Sequence, residues 1–302
     1  MEKTRIIVLG TGPATKEFII KNRDNEYIEI IGIVLDQAVP EEGRKEFLIE
    51  LNSSLEKPIS IMELTDENLK KAQLIFSPEY RKIIPKELTE KYCFVNCHGG
   101  ILPKWRGFSA NAWAIMNGEK EIGFTLHRVR PGLDDGEIYY IKRIHIADDQ
   151  TYADVHEYML NSISEDTPKV LFDIANKKIT GTKQSQEGFA YCNRFTRAMG
   201  NLQSFDDSTD YYVNLWRCMA KPLGTGVWFE YKGYSYVVDK VESGKKYGVI
   251  NYRGIPGKVI NISEDKLWVK TKDNAVILSN VSLDGERIDV SKHFKNGNQI
   301  GY

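Results

Sequence analysis

The sequence predicts an α/β protein in which a doubly wound, mostly parallel sheet is followed by a small β-rich barrel. Three observations support this fold class. The chain has 302 residues, which at roughly 100–200 residues per domain suggests two domains. In its first half, continuous apolar runs alternate with amphipathic helical stretches, as in a parallel sheet covered on both faces. After Asp210 the chain changes to short β-rich runs broken by Gly, Asn and Asp, which is typical of a small barrel.

The first half of the chain supplies the strands of the parallel sheet. Its continuous apolar runs are residues 5–9, 28–35, 74–76 and 92–95. Residues 123–129 and 137–141 alternate apolar and polar side chains instead, which predicts two half-buried strands. A long helix is predicted over 152–176, because apolar residues recur there at helical spacing.

We divide the chain into a first domain (1–183), a linker (184–208) and a second domain (209–302). The second domain begins with a helix over 211–219, which Pro222 ends. Its predicted strands are residues 226–231, 234–241, 258–262, 266–270 and 275–278.

The composition excludes several classes of protein. Hydrophobic residues make up 41% and charged residues 27%, which excludes intrinsic disorder. The 41 basic and 42 acidic residues nearly cancel, which argues against a dedicated nucleic-acid binder. No apolar run approaches the ~20 residues that span a bilayer, and no secretory signal begins the chain. We therefore expect a cytoplasmic protein. The four cysteines are too scattered for a disulfide framework or a metal site.

A glycine-containing turn follows the first apolar run. Gly10 and Gly12 match the first two glycines of a dinucleotide-binding fingerprint, but Thr15 stands in place of the third. This incomplete pattern leaves two interpretations open. We favour a tight turn between a strand and a helix over a site for nucleotide phosphates.

Polar side chains follow the fourth apolar run, where we expect a loop to open. Asn96 and His98 are two residues apart, so on an extended backbone both project to the same side. Open α/β sheets place their sites at the carboxyl ends of parallel strands. An amide donor beside an imidazole can stabilise an oxyanion while the imidazole moves a proton. Capping of a turn by the same two residues is the alternative.

Asp134 is a third candidate, in the glycine-flanked turn that joins the two alternating runs. A carboxylate close to His98 would favour the imidazolium and fix its tautomer. Ordinary turn chemistry accounts for the same residue, and the residues alone do not bring Asp134 to His98. The other histidines, His127 among them, lie in strand-like or helical runs, and we interpret them as structural.

Three motifs stand in order along the chain: Asn96-x-His98, Leu102-Pro103-x-x-Arg106-Gly107 and Gly132-Leu133-Asp134-x-Gly136. Their order and separation resemble those of the 10-formyltetrahydrofolate-dependent formyltransferase family. Residues 221–224 and 256–259 resemble the C-terminal domain of methionyl-tRNA formyltransferases and some sugar formyltransferases. The resemblance covers nearly the whole chain. It implies a Rossmann-like catalytic domain followed by an OB-like barrel.

The resemblance also implies roles for these residues. Asn96 would hold the formyl oxygen and the oxyanion of a tetrahedral intermediate. His98 would assist proton transfer between the acceptor amine and the departing folate nitrogen, and Asp134 would raise its basicity. The family usually has Ser where this chain has Gly100. The co-substrate 10-formyltetrahydrofolate would lie against two loops, formed by Lys82, Ile83 and Ile84 and by Arg130, Pro131, Gly132, Leu133 and Asp134.

Residues 36–46 bear on the acceptor, because the resembling tRNA enzymes carry a basic insertion after the second strand. This stretch is short and holds four acidic and two basic residues, whereas affinity for tRNA comes largely from Lys and Arg. Residues 117–128 resemble the formyltransferase that acts on UDP-linked aminoarabinose, although that branch has Arg where this chain has Phe108. We therefore predict transfer to the primary amine of a nucleotide-linked amino sugar.

Other functions remain open at this point. Methionyl-tRNA formylation is the main alternative, and the 14 basic against 10 acidic residues of 209–302 support it. A formyltetrahydrofolate hydrolase is a less favoured alternative, because the C-terminal barrel would then have no evident role. An inactive folate- or RNA-binding module is also less favoured, because such a module would not need a proton-transfer residue such as His98. We expect no metal ion and no contact with a membrane, and we expect that the chain can form a homodimer.

Overall fold

In the computed structural model, which describes residues 2–249 and 253–302, the chain divides into two compact units. The first runs up to Ala110 and includes Gly123–Ile144 and His156–Cys192. The second contains Asn111–Ile122, His145–Val155 and the described residues from Asn193 onward. The predicted boundaries at residues 183 and 209 stay a prediction.

Up to residue 192, strands and helices alternate along most of the chain. They are β1 (Thr4–Gly10), α1 (Pro13–Lys21), β2 (Ile28–Val34), α2 (Glu41–Ser53), α3 (Asp66–Leu69), β3 (Leu74–Glu79), α4 (Lys86–Lys91), β4 (Phe94–His98), β5 (Trp105–Gly107), α5 (Ala110–Met116), β6 (Glu121–Arg128), β7 (Ile138–His145), α6 (Tyr152–Ala175) and β8 (Ala190–Cys192).

The main sheet has the strand order β2-β1-β3-β4-β6-β7. The strands β1 to β4 pair in parallel, and β6 runs antiparallel to β4. The central strands are buried because their side chains are almost all apolar; Ile7, Ile75 and Phe94, for example, form one core cluster. This confirms the predicted doubly wound, mostly parallel sheet. A separate parallel ladder joins β5 to β8, and β8 lies within the stretch that we predicted as a linker.

Beyond residue 192 the structure is mainly antiparallel. Its elements are α7 (Thr209–Met219), β9 (Val227–Tyr231), β10 (Tyr234–Ser243), β11 (Val259–Ser263), β12 (Lys266–Lys270), β13 (Ala275–Leu283), β14 (Glu286–Arg287) and α8 (Val290–His293), with 3-10 helices at Arg197–Gly200 and Gly244–Tyr247.

The second sheet has the order β11-β12-β13-β10-β9. The C-terminal segment hydrogen-bonds to both of its edges: the N–H of Val259, in β11, donates to Asn298, and the N–H of Gly301 donates to Glu230, in β9. This segment therefore joins the two edge strands. The predicted second, β-rich domain is confirmed. In the described part of the chain, no helix is long and apolar enough to cross a membrane.

Candidate active site

Asn96 and His98 are the last polar residues of β4, not the start of a loop as we predicted. The strand continues through His98 because β6 pairs with it, with Asn96 opposite His127 and His98 opposite Thr125. Directly paired residues of an antiparallel ladder project to the same face. The pairing therefore places the two predicted site residues beside a second histidine.

Asp134 lies between the two histidines, so the structure brings the three predicted catalytic residues together. Its Oδ2 is 3.4 Å from Nδ1 of His98, and its Oδ1 is 3.4 Å from Nε2 of His127. The backbone N–H of Gly107 donates to the same Oδ2 at 2.9 Å. Asp134 has φ of +50°, a conformation that Asp tolerates better than most residues. The short turn after β6 thus turns the carboxylate back onto the strand.

His127 is a member of this cluster that our sequence analysis did not single out. Its Nδ1 donates to the carbonyl of Arg128 at 2.9 Å, so in the neutral ring Nε2 is an acceptor. Nδ2 of Asn96 lies 3.1 Å from that Nε2, and the amide donates to it. We interpreted His127 as a structural histidine without partners, and the structure places it in contact with Asn96 and Asp134. Thr125 and His127 are two polar residues spaced by two in an otherwise apolar strand, so both project from the same face. This spacing was the one feature of the sequence that could have pointed to His127.

The two rings and the carboxylate are almost withdrawn from water. His98 is 6% exposed and His127 is 2% exposed. Burial lowers the pKa of His98, and the charge on His127 adds to this, while Asp134 and the Trp105 carbonyl oppose it. Burial raises the pKa of Asp134, but the neighbouring His127 and His98, when charged, and the Gly107 N–H outweigh it and hold the pKa at about 2. At neutral pH the site therefore holds a carboxylate beside a predominantly neutral His98.

The loop after β4 closes onto His98 through a backbone carbonyl. Nε2 of His98 donates to the carbonyl of Trp105 at 2.7 Å. Thr125 fixes the same loop: its hydroxyl donates to the carbonyl of Gly100 at 2.7 Å and accepts from the N–H of Leu102 at 3.1 Å. A Cβ at Gly100 would lie 2.8 Å from Nε2 of His98. A Ser at this position, as the family resemblance leads us to expect, has no room beside the ring in this arrangement.

The predicted folate-contacting residues lie on two loops of the first unit. Tyr80 and Ile84 of one loop and Val129, just before the other, pack against the same buried cluster. Ile83 is 94% exposed and Leu133 is 49% exposed. Lys82, Arg130, Pro131 and Gly132 are also exposed.

The turn with Gly10 and Gly12 is filled by the protein's own carboxylate. Oε2 of Glu79 accepts from the N–H groups of Ala14 and Thr15, at 2.8 and 3.2 Å, at the N-terminus of α1. This is where a phosphate would bind in a nucleotide site. A Cβ at Gly12 would lie 2.4 Å from that oxygen, so the glycine makes room for Glu79. The structure therefore supports the tight-turn interpretation.

Within residues 2–249 and 253–302, no group of three or more His, Cys, Asp and Glu side chains could hold a metal ion.

Comparison with known proteins gives two family matches and a consistent set of relatives. The Formyl transferase family matches residues 4–171, and the Formyl transferase C-terminal domain matches residues 200–299. A methionyl-tRNA formyltransferase of Clostridioides difficile is 26% identical over 98% of this chain and 97% of its own length.

Solved structures share the fold. The N-formyltransferase of Helicobacter canadensis, in complex with folinic acid and dTDP-3-aminofucose, is 18% identical with a TM-score of 0.66, over 92% of this chain and 99% of its own. HypX of Aquifex aeolicus, in complex with tetrahydrofolic acid, is 19% identical with a TM-score of 0.62, over 94% of this chain. The present chain spans 45% of HypX.

Proposed function

The chain belongs to the formyl transferase family, and we propose that it transfers a formyl group from 10-formyltetrahydrofolate to the primary amine of a nucleotide-linked amino sugar. The amine nitrogen attacks the formyl carbon, and the carbonyl oxygen becomes an oxyanion. The bond from that carbon to the folate nitrogen then breaks. The amine loses one proton and the folate nitrogen gains one, so the products are an N-formyl sugar and tetrahydrofolate.

Asn96 is suited to hold the oxyanion. One N–H of its amide donates to His127 at 3.1 Å, which fixes the plane of the amide group. An amide nitrogen carries two N–H groups, so the second can donate to the formyl oxygen. A donor fixed in advance at the site where charge develops is typically worth about 10²–10³ in rate. His127 acts in this proposal as a positioning residue.

His98 and Asp134 are suited to move the proton. Because Nε2 of His98 donates to Trp105, the neutral ring carries its lone pair on Nδ1, which faces Asp134 at 3.4 Å. A proton taken up at Nδ1 creates an imidazolium beside a carboxylate, which stabilises it. The proton then passes to the folate nitrogen as that group leaves. The buried cluster of Asn96, His98, His127 and Asp134 is the observation that carries the proposed chemistry.

The donor is proposed to bind at the exposed aliphatic loops. Ile83 and Leu133 expose apolar surface that a flat ring system of the folate would cover. Each aliphatic side chain that becomes buried in this way contributes up to about 1.5–3 kcal/mol. In the relatives, folinic acid and tetrahydrofolic acid are bound, which supports a folate donor for this chain.

The segment after β2 supports a sugar acceptor over a tRNA. It has two basic residues, and both have partners within the segment. Nζ of Lys45 lies 2.6 Å from Oε1 of Glu41, and Arg44 donates to the carbonyl of Val39 at 2.8 Å. To bind a phosphate backbone, Lys45 and Arg44 would have to give up these contacts. The four carboxylates of the segment would also repel the phosphates. The dTDP-3-aminofucose bound by the H. canadensis enzyme is an acceptor of the proposed class.

Methionyl-tRNA formylation is the second candidate. The observation that favours it is the C. difficile relative, which is named as that enzyme and aligns over 98% of this chain. Both candidates use the same buried cluster and the same donor. They differ only in the molecule that carries the amine.

The proposed chemistry is tested by replacing His98 while following donor binding separately. His98→Ala should abolish most formyl transfer, measured with radiolabelled formyl donor, and should leave the dissociation constant of tetrahydrofolate nearly unchanged. His156→Ala, at a half-buried histidine of α6, is the matched control and should retain transfer. Full turnover in His98→Ala would contradict the assigned role.

A further inference from the structure

A column of stacked side chains runs from the Asp134 turn to the surface of the first unit. It begins at Gln184, whose Nε2 donates to the carbonyls of Asp134 and Gly136 at 2.8 and 2.7 Å. Oε1 of Gln184 accepts two bonds from the Arg106 guanidinium, from Nε at 3.2 Å and from Nη2 at 2.9 Å. Arg106 is 1% exposed. The buried end of the column is thus tied to the turn that carries Asp134.

The outer end of the column is aromatic. The Arg106 guanidinium lies 4.3 Å from the ring centroid of Phe189, a distance at which a cation is attracted to the ring face. Phe189 meets Tyr191 edge to face, with ring centroids 5.2 Å apart and planes at 74°. Tyr191 is nevertheless 58% exposed. The Tyr191 ring therefore packs against Phe189 while more than half of it is open to solvent.

The ladder that carries these rings is joined to the reacting groups. Trp105 and Gly107, in β5, bond to His98 and Asp134 through their backbone. Tyr191, in β8, pairs with Arg106, the residue between them. Tyr191 is therefore one strand away from backbone that contacts the proposed catalytic cluster, a distance of roughly 5 Å between strands.

We propose that Tyr191, supported by Phe189 and Arg106, stacks against the nucleobase of the acceptor. This inference rests on the proposed function, because it takes the acceptor to be a nucleotide-linked amine. Every nucleobase has a flat π-face, and stacking on an exposed ring is tolerant of base identity. A ring that already packs against Phe189 loses less conformational freedom when the base binds than an unsupported ring would. Phe108, 43% exposed and bonded through its N–H to the carbonyl of Cys192 at 3.0 Å, lies at the end of the same ladder.

Substitution of Tyr191 tests the stacking with two acceptors. Tyr191→Ala should raise the KM for the nucleotide-linked amino sugar by about 5- to 150-fold, the range for loss of one stacked base. The kcat and the KM for the folate donor should not change. With the same amino sugar as its 1-phosphate, which has no base, variant and wild type should have equal KM. Tyr191→Phe keeps the ring and should behave as wild type, whereas Tyr191→Leu should behave as the alanine variant.

Tyr234→Ala is the matched control, because Tyr234 is 56% exposed and belongs to the second unit. It should leave the KM for every substrate unchanged. An unchanged acceptor KM in Tyr191→Ala, or a rise in the donor KM instead, would overturn the inference.

Binding of UDP and dTDP, measured by calorimetry without turnover, separates this inference from the proposed function. If no nucleotide-linked amino sugar is formylated, the proposed acceptor is wrong. Weaker nucleotide binding in Tyr191→Ala would still support the stacking site. Equal binding by variant and wild type, or no binding by the wild type, would overturn it.

Discussion

Gly100 stands where the family resemblance leads us to expect Ser, and replacing it by Ser gives the sharpest structural prediction. A Cβ at this position would lie 2.6 Å from Cβ of Ala110, 2.8 Å from Nε2 of His98 and 3.2 Å from the carbonyl oxygen of Trp105. Carbon atoms in contact are normally about 3.5–4.0 Å apart. The overlap is therefore close to an ångström, and His98 must move away from Trp105.

Two effects of Gly100→Ser follow from this displacement. Overpacking of the loop should lower the free energy of unfolding by about 1–3 kcal/mol. Misplacement of a reacting group by about 1 Å can cost on the order of 100-fold in rate, so kcat should fall by that order. The Trp105 carbonyl raises the pKa of His98. Its loss should move the acidic limb of the pH–rate profile to lower pH.

The assay is steady-state formyl transfer across a pH series, with denaturant unfolding of the same preparations. Gly99→Ser is the control, because a Cβ at Gly99 meets no atom within 4 Å; it should retain both rate and stability. The double variant Gly100→Ala/Ala110→Gly removes the 2.6 Å contact with Cβ of Ala110 but keeps the 2.8 Å contact with Nε2 of His98. Stability should recover there without recovery of kcat. Wild-type kcat and an unmoved pH profile in Gly100→Ser would refute the reasoning.

Three further predictions concern Asp134, His127 and Gly12. Asp134→Asn removes the charge that raises the pKa of His98, so kcat should fall and the acidic limb of its pH profile should move downward; an upward shift would contradict the pairing. His127→Ala frees the amide of Asn96 and should lower kcat by up to about 100-fold. The double variant His127→Ala/Asn96→Ala should be no slower than Asn96→Ala alone, because His127 acts through Asn96. If the rate losses of the two single variants added in the double variant, His127 would not act through Asn96. In Gly12→Ala the new Cβ would lie 2.4 Å from Oε2 of Glu79 and displace that carboxylate from the N–H groups of Ala14 and Thr15. Loss of this helix cap should lower the free energy of unfolding, measured with urea, by about 0.5–2 kcal/mol; unchanged stability would contradict a stabilising role of Glu79 at the turn.

Much of the fold could be predicted from the sequence because the central strands are almost entirely apolar. The runs that begin at residues 5, 28 and 74 each fall within a strand of the main sheet or overlap one closely. For the fourth strand, our prediction ended at residue 95, before the observed end at His98, because Asn96 and His98 are polar and resemble the start of a loop. Their strand conformation depends on pairing with β6. The register of that pairing cannot be predicted from the sequence of β4 alone.

The candidate site was predicted in part. Asn96, His98 and Asp134 meet as expected, but only the family resemblance linked Asp134 to His98. His127 was missed because its partners, Asn96 and Asp134, come from another strand and from a turn. The role of Gly100 also depends on contacts made after folding, with Ala110 and His98. A sequence pattern identifies the residue types, whereas these distances arise from tertiary structure.

The most direct test of the account is to compare acceptors under identical conditions. Purified protein and 10-formyltetrahydrofolate would be incubated with UDP- and dTDP-linked amino sugars or with methionyl-tRNA, and N-formyl products would be identified by mass spectrometry. We expect formylation of a nucleotide-linked amino sugar and loss of that product in His98→Ala. Transfer to methionyl-tRNA alone would contradict the proposed acceptor, and transfer to neither class would contradict both candidate acceptors.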